Sequence, residues 1–311
     1  MNDTPYYKAS RYFRERYRKC VQRICIDGGF TCPNRDGKCG TGGCIFCGEH
    51  GAGDYIDGCT IARTSSCNRT VSVRGQVDKR IGGYKGRKRF VAYFQSFTGT
   101  YAPPERLKAL YDEALCSDLI LALAVATRPD CIDEEIASLL ESYKTRCDVW
   151  VELGLQTSDD DTARFINRGY ESREFVRACG ILKAHGIPVV AHIMIGLPGE
   201  NMTHLAETVR FVNSCGVWGI KLHSVYVMKN TVLERLYREG KYTPPTMEEY
   251  AEGAVYVLTH ISPDVVVHRL TGDCPPELLV APEWNADKSR TMELILGTMR
   301  ENGLRQGIYY R

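Results

Sequence analysis

Cys32, Cys44 and Cys47 fall in one Gly-rich stretch, Gly29 to Tyr55, that reads GFTCPNRDGKCGTGGCIFCGEHGAGDY. Cys44 and Cys47 form a Cys-x2-Cys pair around Ile45 and Phe46, and Cys32 lies twelve residues before Cys44. Three thiolates from one loop suit a cubane [4Fe–4S] cluster, whose four irons ordinarily take four thiolates. With three supplied by the chain, one iron is left open for a ligand that is not protein. Gly37, Gly40, Gly42 and Gly43 allow positive φ, so the backbone can wrap closely around such a group. A rival ligand set adds Cys39 and closes a zinc site from Cys32, Cys39, Cys44 and Cys47. Spacing alone leaves both open. Cys59 and Cys67 read as ordinary thiols, with the alternative that they join Cys39 around a second cluster.

The elements that must position this loop alternate apolar runs with amphipathic segments. Strands are expected at Val21–Ile26, Phe90–Gln95, Leu119–Ala126, Val149–Leu155, Pro188–Ile195 and Ile220–Val227. These runs lack polar alternation, as parallel strands covered on both faces do. Helices are expected between them, at Val71–Lys79, Pro104–Cys116, Asp133–Tyr143, Arg173–His185 and Met202–Cys215. Pro104 suits a first helical turn, Asp133 an N-cap and Gly186 a position just past a helix end. A further helix (Thr246–Thr259), a strand (Val265–Leu270) and a last helix (Asp287–Asn302) follow. Repeated βα units give a right-handed parallel array, either a doubly wound sheet or an incomplete barrel. In both, the loops after the strands build the site, and the cysteine loop directly follows the first strand.

At 311 residues and 43% hydrophobic, the chain can bury one large core. Its longest apolar run, Leu119 to Ala126, is eight residues, well short of the roughly 20 that span a bilayer. No membrane partner is expected. Fourteen cysteines without a secretion signal argue for reduced thiols and a cytoplasmic protein. Net charge is only +2, but Lys8 to Arg23 holds seven basic residues against one acid, Glu15, with Tyr12, Phe13 and Tyr17 interleaved. A second cluster gathers Lys79, Arg80, Lys85, Arg87, Lys88 and Arg89 near Tyr84 and Phe90. Such patches suit a phosphate backbone and unpaired bases, or else are a solvated helix face and a charged loop. Residues 1–20 are thus expected to form a basic aromatic arm, 21–262 the core and 263–311 an extension packed on it. Glu152, a carboxylate inside an apolar strand, requires a partner or a ligand. His192 and His223, also within strands, read as hydrogen-bonded core residues or as catalytic ones.

The cysteine loop resembles that of the YhcC/YtqA-type radical S-adenosylmethionine (SAM) proteins, relatives of the elongator catalytic subunit. The resemblance continues in order through YFQSFTGTYAP (Tyr93–Pro103), VELGLQT (Val151–Thr157), AHIMIGLPGE (Ala191–Glu200), GIKLHSVYVMKNTVLE (Gly219–Glu234) and HRLTGDCP (His268–Pro275). It implies an α/β fold, a partial (β/α)6 TIM-like barrel with N- and C-terminal extensions, a [4Fe–4S] cluster and SAM. Cys32, Cys44 and Cys47 would ligate three irons, and the amino and carboxylate groups of SAM the fourth. Phe46 would pack by the adenine. Gln95 and Thr98 lie in the segment that meets the methionyl amino group, where the family carries Asn at the position of Gly99. Glu152 and Gln156 would be polar partners of SAM, and Gly196, Pro198 and Gly199 would lie against the adenine.

The activity so implied is reductive cleavage of SAM to a 5′-deoxyadenosyl radical, which takes a hydrogen atom from an unactivated carbon. The electron would come from a low-potential donor such as flavodoxin or ferredoxin. The elongator lineage modifies the wobble uridine of tRNA with the help of an acetyltransferase domain. About 80 residues follow the sixth strand here, fewer than such a domain needs. The resemblance to the YtqA-like relatives implies instead remodelling of an existing carboxymethylaminomethyl group towards aminomethyl. Two rival readings are a radical SAM enzyme acting on a small molecule or protein, and a zinc-bearing RNA-binding protein without catalysis.

Overall fold

The structure, a computed structural model, describes residues 4–49, 51, 72–84, 88–272 and 274–311. Its strands are β1 (Val21–Ile26), β2 (Arg89–Phe94), β3 (Ile120–Thr127), β4 (Asp148–Gln156), β5 (Val189–Ile195), β6 (Gly219–Ser224), β7 (Val227–Met228), β8 (Val266–Arg269) and β9 (Leu279–Ala281). Its α-helices are α1 (Ala9–Tyr17), α2 (Val73–Gly82), α3 (Pro104–Ala114), α4 (Glu134–Ser142), α5 (Asp160–Phe165), α6 (Ser172–Ala184), α7 (Met202–Ser214), α8 (Val232–Arg238), α9 (Met247–His260) and α10 (Lys288–Glu301). Strands β1 to β6 and β8 pair in parallel in that order, and β7 pairs with β9 antiparallel. The expected six-stranded array is therefore extended by a seventh strand from the C-terminal region.

The apolar runs become strands because helices cover one face and the strands' own neighbours the other. Leu123, Val125, Val151, Leu153, Leu155, Ala191 and Ile193 pack outward into the large core. Alternate residues turn inward: Val91 and Tyr93, Ala122 and Ala124, Trp150, and Val190. The Asp133 side chain accepts from Ile136 N, capping α4, and Thr246 with Glu249 forms a capping box on α9. The run expected as one strand to Val227 breaks after Ser224, and its last residues turn to pair with β9. Continuous apolarity cannot distinguish one strand from two.

The sheet is curled. Tyr93 on β2 and Lys221 on β6 are four strands apart, about 19 Å in a flat sheet, yet Lys221 Nζ donates to Tyr93 Oη across 2.9 Å. The outermost strands also meet, with Arg23 Nη2 of β1 lying 2.6 Å from His268 Nδ1 of β8. The result is a partial barrel with a lumen, a base at the strands' N-terminal ends and a mouth at their C-terminal ends.

Helix α1 closes the base. Phe13 is buried against Trp150, 5.8 Å between ring centroids, and Tyr12 meets Trp218 at 5.0 Å. Tyr17 Oη donates to Asp148 across 2.7 Å, and Arg16 forms a two-pronged pair with the same carboxylate. Lys8 makes a parallel bridge to Val267. The aromatics Tyr12, Phe13 and Tyr17, read from the sequence as groups that could stack on bases, pack here into the plug of the barrel. In the second basic cluster, Lys88 and Arg80 lie over the Tyr84 ring, at 4.5 and 5.5 Å. Lys85 and Arg87, like Cys59 and Cys67, lie outside the described residues.

Candidate active site

The cysteine loop crosses the mouth and is tied down by backbone bonds that its sequence makes possible. Asn34 Nδ2 donates to Asn167 O (2.5 Å), and Asn167 Nδ2 returns a bond to Gly43 O (2.7 Å). Gly43 takes φ 76°, where a Cβ would fall 2.8 Å from Arg35 Nε. Ile45 N donates to Ile166 O at 3.1 Å, and Leu233 N to Ile45 O at 2.9 Å, so the Cys-x2-Cys turn is pinned between the α5 end and α8.

The three thiols lie in one electrostatic neighbourhood. Cys44 and Cys47 share a hydrogen bond, which together with burial raises the Cys44 thiol; the same bond and the Arg35 guanidinium outweigh burial and lower that of Cys47. Arg128 Nη1 points at Cys32 Sγ across 3.9 Å. Arg128 is itself fixed by Asp130 (2.7 Å) and by the Tyr170 ring (4.7 Å). Cys39, the thiol a zinc site would add, is exposed and donates to Asp130 across 3.8 Å. Among the described residues no three His, Cys, Asp or Glu side chains are gathered to hold a single metal ion.

The strand ends around the loop are held in unusual backbone shapes. Gln156 ends β4 at φ 63°, beyond a register shift at Gly154. Non-glycine residues hold that region only when their surroundings impose it. Arg168, almost fully buried, imposes it by donating to Leu155 O (2.5 Å) and Thr157 O (2.7 Å). Tyr170 Oη completes the brace, donating to Gly154 O (2.6 Å), with Gln156 Oε1 at 3.3 Å. Beside it, Thr98 is buried and Gln95 half-buried at the tip of β2. A Cβ at Gly99 would lie 2.8 Å from Ala126 O and from Val125 Cγ1, so packing on β3 leaves no room for a larger side chain there.

Phe46 packs on the cluster of Met194, Leu197 and Leu233, and so joins the end of β5. There Gly196 takes φ 94° and Gly199 φ 81°, Pro198 is buried, and Tyr242 Oη donates to Gly196 O (2.7 Å). A Cβ at Gly196 would strike Pro245 at 2.6 Å. The structure therefore brings Phe46 to the Gly196–Gly199 turn, and the cysteines to Arg128 and the β4 end.

Glu152 is elsewhere. It lies inside the lumen, below Gln156 on the same face of β4, with no exposed surface. Tyr93 Oη (2.8 Å), Trp150 Nε1 (3.3 Å) and Lys221 donate to its oxygens, and His192 Nε2 lies 2.8 Å away. Burial alone would raise its pKa, but Lys221, His192 and Arg23 hold it well below the carboxylate range. The His192 and His223 rings lie 5.1 Å apart and tilted by 32°, and burial pushes His192 down to about 4. Sequence reading missed Lys221, although a charge inside the run GIKLHS carried the same signal as Glu152. Arg128, Arg168 and Tyr170, just past strand ends or in loops, gave no comparable signal.

Most of the chain matches a known family. Residues 36–212 match the Radical SAM superfamily and residues 217–301 the Radical_SAM C-terminal domain. The chain belongs to the radical SAM enzymes, which cleave SAM with a [4Fe–4S] cluster, and these two are its cofactors. Within that class it is of the YhcC/YtqA type, related to the elongator catalytic subunit. It is 34% identical to YtqA of Bacillus subtilis, covering 98% of this chain and 93% of that one, and 32% identical to YhcC of Escherichia coli (93% and 90%). A tRNA uridine(34) acetyltransferase of Methanocaldococcus jannaschii is 29% identical over 60% of this chain, which spans 34% of that relative. The solved structure of Methanocaldococcus infernus Elp3, with an N-terminal deletion, superposes with a TM-score of 0.66 at 18% identity, over 92% of this chain and 64% of that one. No described helix is long and apolar enough to cross a membrane.

Proposed function

We propose that this enzyme modifies the C5 side chain of the tRNA wobble uridine, converting a carboxymethylaminomethyl group towards aminomethyl. The carbon beside the carboxylate would lose a hydrogen atom to the 5′-deoxyadenosyl radical and one electron back to the oxidised cluster. Water would then split the resulting imine, breaking the N–C bond and releasing the two carbons as glyoxylate. The observation that carries the reading is the mouth. The cysteine loop, the tips of β2 to β5 and the half-buried polar side chains of the lumen face one opening, on a core shared with a tRNA uridine(34) acetyltransferase. Cys32, Cys44 and Cys47 would hold the cluster and leave a place on it for SAM. When bound, these cofactors supply a 5′-deoxyadenosyl radical that takes a hydrogen atom from substrate.

The chain's own residues bind and orient. Arg128 and Arg35 stabilise thiolate charge at Cys32 and Cys47. Gln95 and Thr98 at the β2 tip, and Gln156 on the β4 tip braced by Arg168 and Tyr170, would meet the polar end of SAM. Phe46, Gly196, Pro198 and Gly199 form a flat apolar seat for its adenine. Glu152, whose oxygens are already engaged by the lumen donors, acts one layer below. A flavodoxin or ferredoxin supplies the electron.

The test is mass-spectrometric comparison of tRNA nucleosides from cells with and without this gene. Accumulation of the carboxymethylaminomethyl nucleoside at the expense of its aminomethyl product is expected on deletion. Unchanged tRNA nucleosides would overturn the tRNA reading and move a small-molecule or protein substrate ahead of it.

A further inference from the structure

A buried ion pair stands behind the cysteine loop. Arg128, the residue after β3, and Asp130 flank Pro129, which opens a short 3-10 turn, Pro129–Cys131. The proline presets that turn, and the two charged side chains fold back on each other. Arg128 Nε donates to Asp130 Oδ1 (2.9 Å) and Nη2 to Oδ2 (2.7 Å). This two-pronged pair leaves Nη1 with its two hydrogens. One goes to Arg168 O (2.9 Å), and the other direction meets Cys32 Sγ at 3.9 Å. The Tyr170 ring covers the guanidinium at 4.7 Å. Asp130 in turn accepts from Cys39 Sγ at 3.8 Å. Arg35, on the far side of the loop, also holds its backbone, donating to the carbonyls of Cys47, Gly48 and Glu49 at 3.2, 2.6 and 3.1 Å. Arg128 and Asp130 meet the loop at two thiols.

That placement bears on one-electron chemistry. Reduction adds an electron and no proton to a cluster and its thiolates, so nearby fixed charge acts on it directly. A positive N–H group aimed at a ligand sulfur stabilises the reduced form and raises the potential, and a carboxylate close by does the reverse. The side chain of Arg128 keeps 10% of its surface and that of Asp130 16%, so water screens neither well.

We propose that Arg128 and Asp130 set the reduction potential of the cluster in opposite senses. Arg128 raises it through Cys32, while Asp130 fixes the guanidinium and offsets part of its charge. The inference rests on the reading that Cys32, Cys44 and Cys47 hold the cluster. It adds which residues decide how readily an external donor loads the electron. Both are positioning residues: they act through a ligand thiolate and touch no substrate.

The experiment is an anaerobic redox titration of the full chain with its cluster and without SAM, following the electron paramagnetic resonance signal of the reduced form. Iron is measured on every sample. Arg128→Gln should lower the midpoint by about 59 mV, a tenfold change in the one-electron equilibrium, as loss of one charge-assisted hydrogen bond would give. Asp130→Asn, which keeps an acceptor for Arg128, should raise it. The double variant should fall between the two. An Arg128→Gln midpoint equal to the parent's would overturn the proposal. Two single variants that shift the same way would overturn it as well, because a loosened loop moves the potential in one direction and opposite charges move it in two. If Arg128→Gln holds no iron, Asp130→Asn decides: a raised midpoint supports the proposal, and one unmoved or lowered overturns it. A colourless parent with stoichiometric zinc would sink the cysteine reading itself, whereas a brown parent whose midpoint ignores both variants sinks only the tuning.

Discussion

The two ends of this barrel are made from similar residues and do opposite work. At the base, α1 brings aromatics and arginines to Trp150, Trp218 and Asp148, and these groups satisfy one another: Arg16 and Tyr17 share the Asp148 carboxylate, and Phe13 is buried. At the mouth, glycines with positive φ and a strained Gln156 aim thiols and cations at a common space. A dense charged and aromatic stretch therefore says little about function until its partners are known. Where the groups pair among themselves they close the fold. Where buried arginines point at thiols they prepare a site.

The comparison predicts unequal damage. The largest effect is at the cysteines. Replacing Cys32, Cys44 or Cys47 by Ala should abolish the iron–sulfur chromophore of anaerobically purified protein, which otherwise holds about four irons per chain. Cys39→Ala should keep both iron and colour. Stoichiometric zinc in a colourless protein, lost with Cys39→Ala, would break the contrast by making the loop a structural site.

Arg168 comes next, because it links the mouth to stability. Arg168→Met removes the donors to Leu155 O and Thr157 O and leaves two carbonyls at the β4 end without them. At roughly 1–3 kcal/mol for each buried polar group left unsatisfied, the cost should be about 3 kcal/mol. A lower midpoint of urea unfolding, with weakened SAM binding at temperatures where the variant is still folded, is the expected pair of results. Full SAM affinity in a folded variant would show that Gln156 keeps its conformation without the brace.

Much of this was legible in the sequence, for definable reasons. Continuous apolar runs reported parallel strands covered on both faces, and Asp133 and Gly186 marked helix ends. The three cysteines and the glycines around them located the mouth. What stayed hidden depended on tertiary partners. Period and composition place aromatics at Tyr12, Phe13 and Tyr17, but only the folded chain shows that they meet Trp150 and Trp218 and not a base. The Glu152–Lys221 pair joins residues 69 positions apart, so each charge could be noticed in its strand without naming the other. Arg168 follows a short helix in a polar segment, and nothing local says that its guanidinium turns inward.

The smallest effect is expected at the base, and it sharpens the comparison most directly. Arg14 on α1 is exposed, as are Arg18 and Lys19 just past its C-terminal end, at the end of the barrel opposite the cysteine loop. A long-range contribution to tRNA encounter is screened beyond a Debye length of about 8 Å at physiological salt. Reversing all three to Glu should therefore change tRNA affinity by less than about twofold at that ionic strength, leave the salt slope of binding nearly unchanged, and spare both cluster content and SAM cleavage. Arg16 is excluded from this set because its pair with Asp148 makes it part of the plug. A steep loss of affinity with a shallower salt slope would mean that the tRNA wraps past the mouth to the base. The helix would then close the barrel with one face and track the backbone with the other.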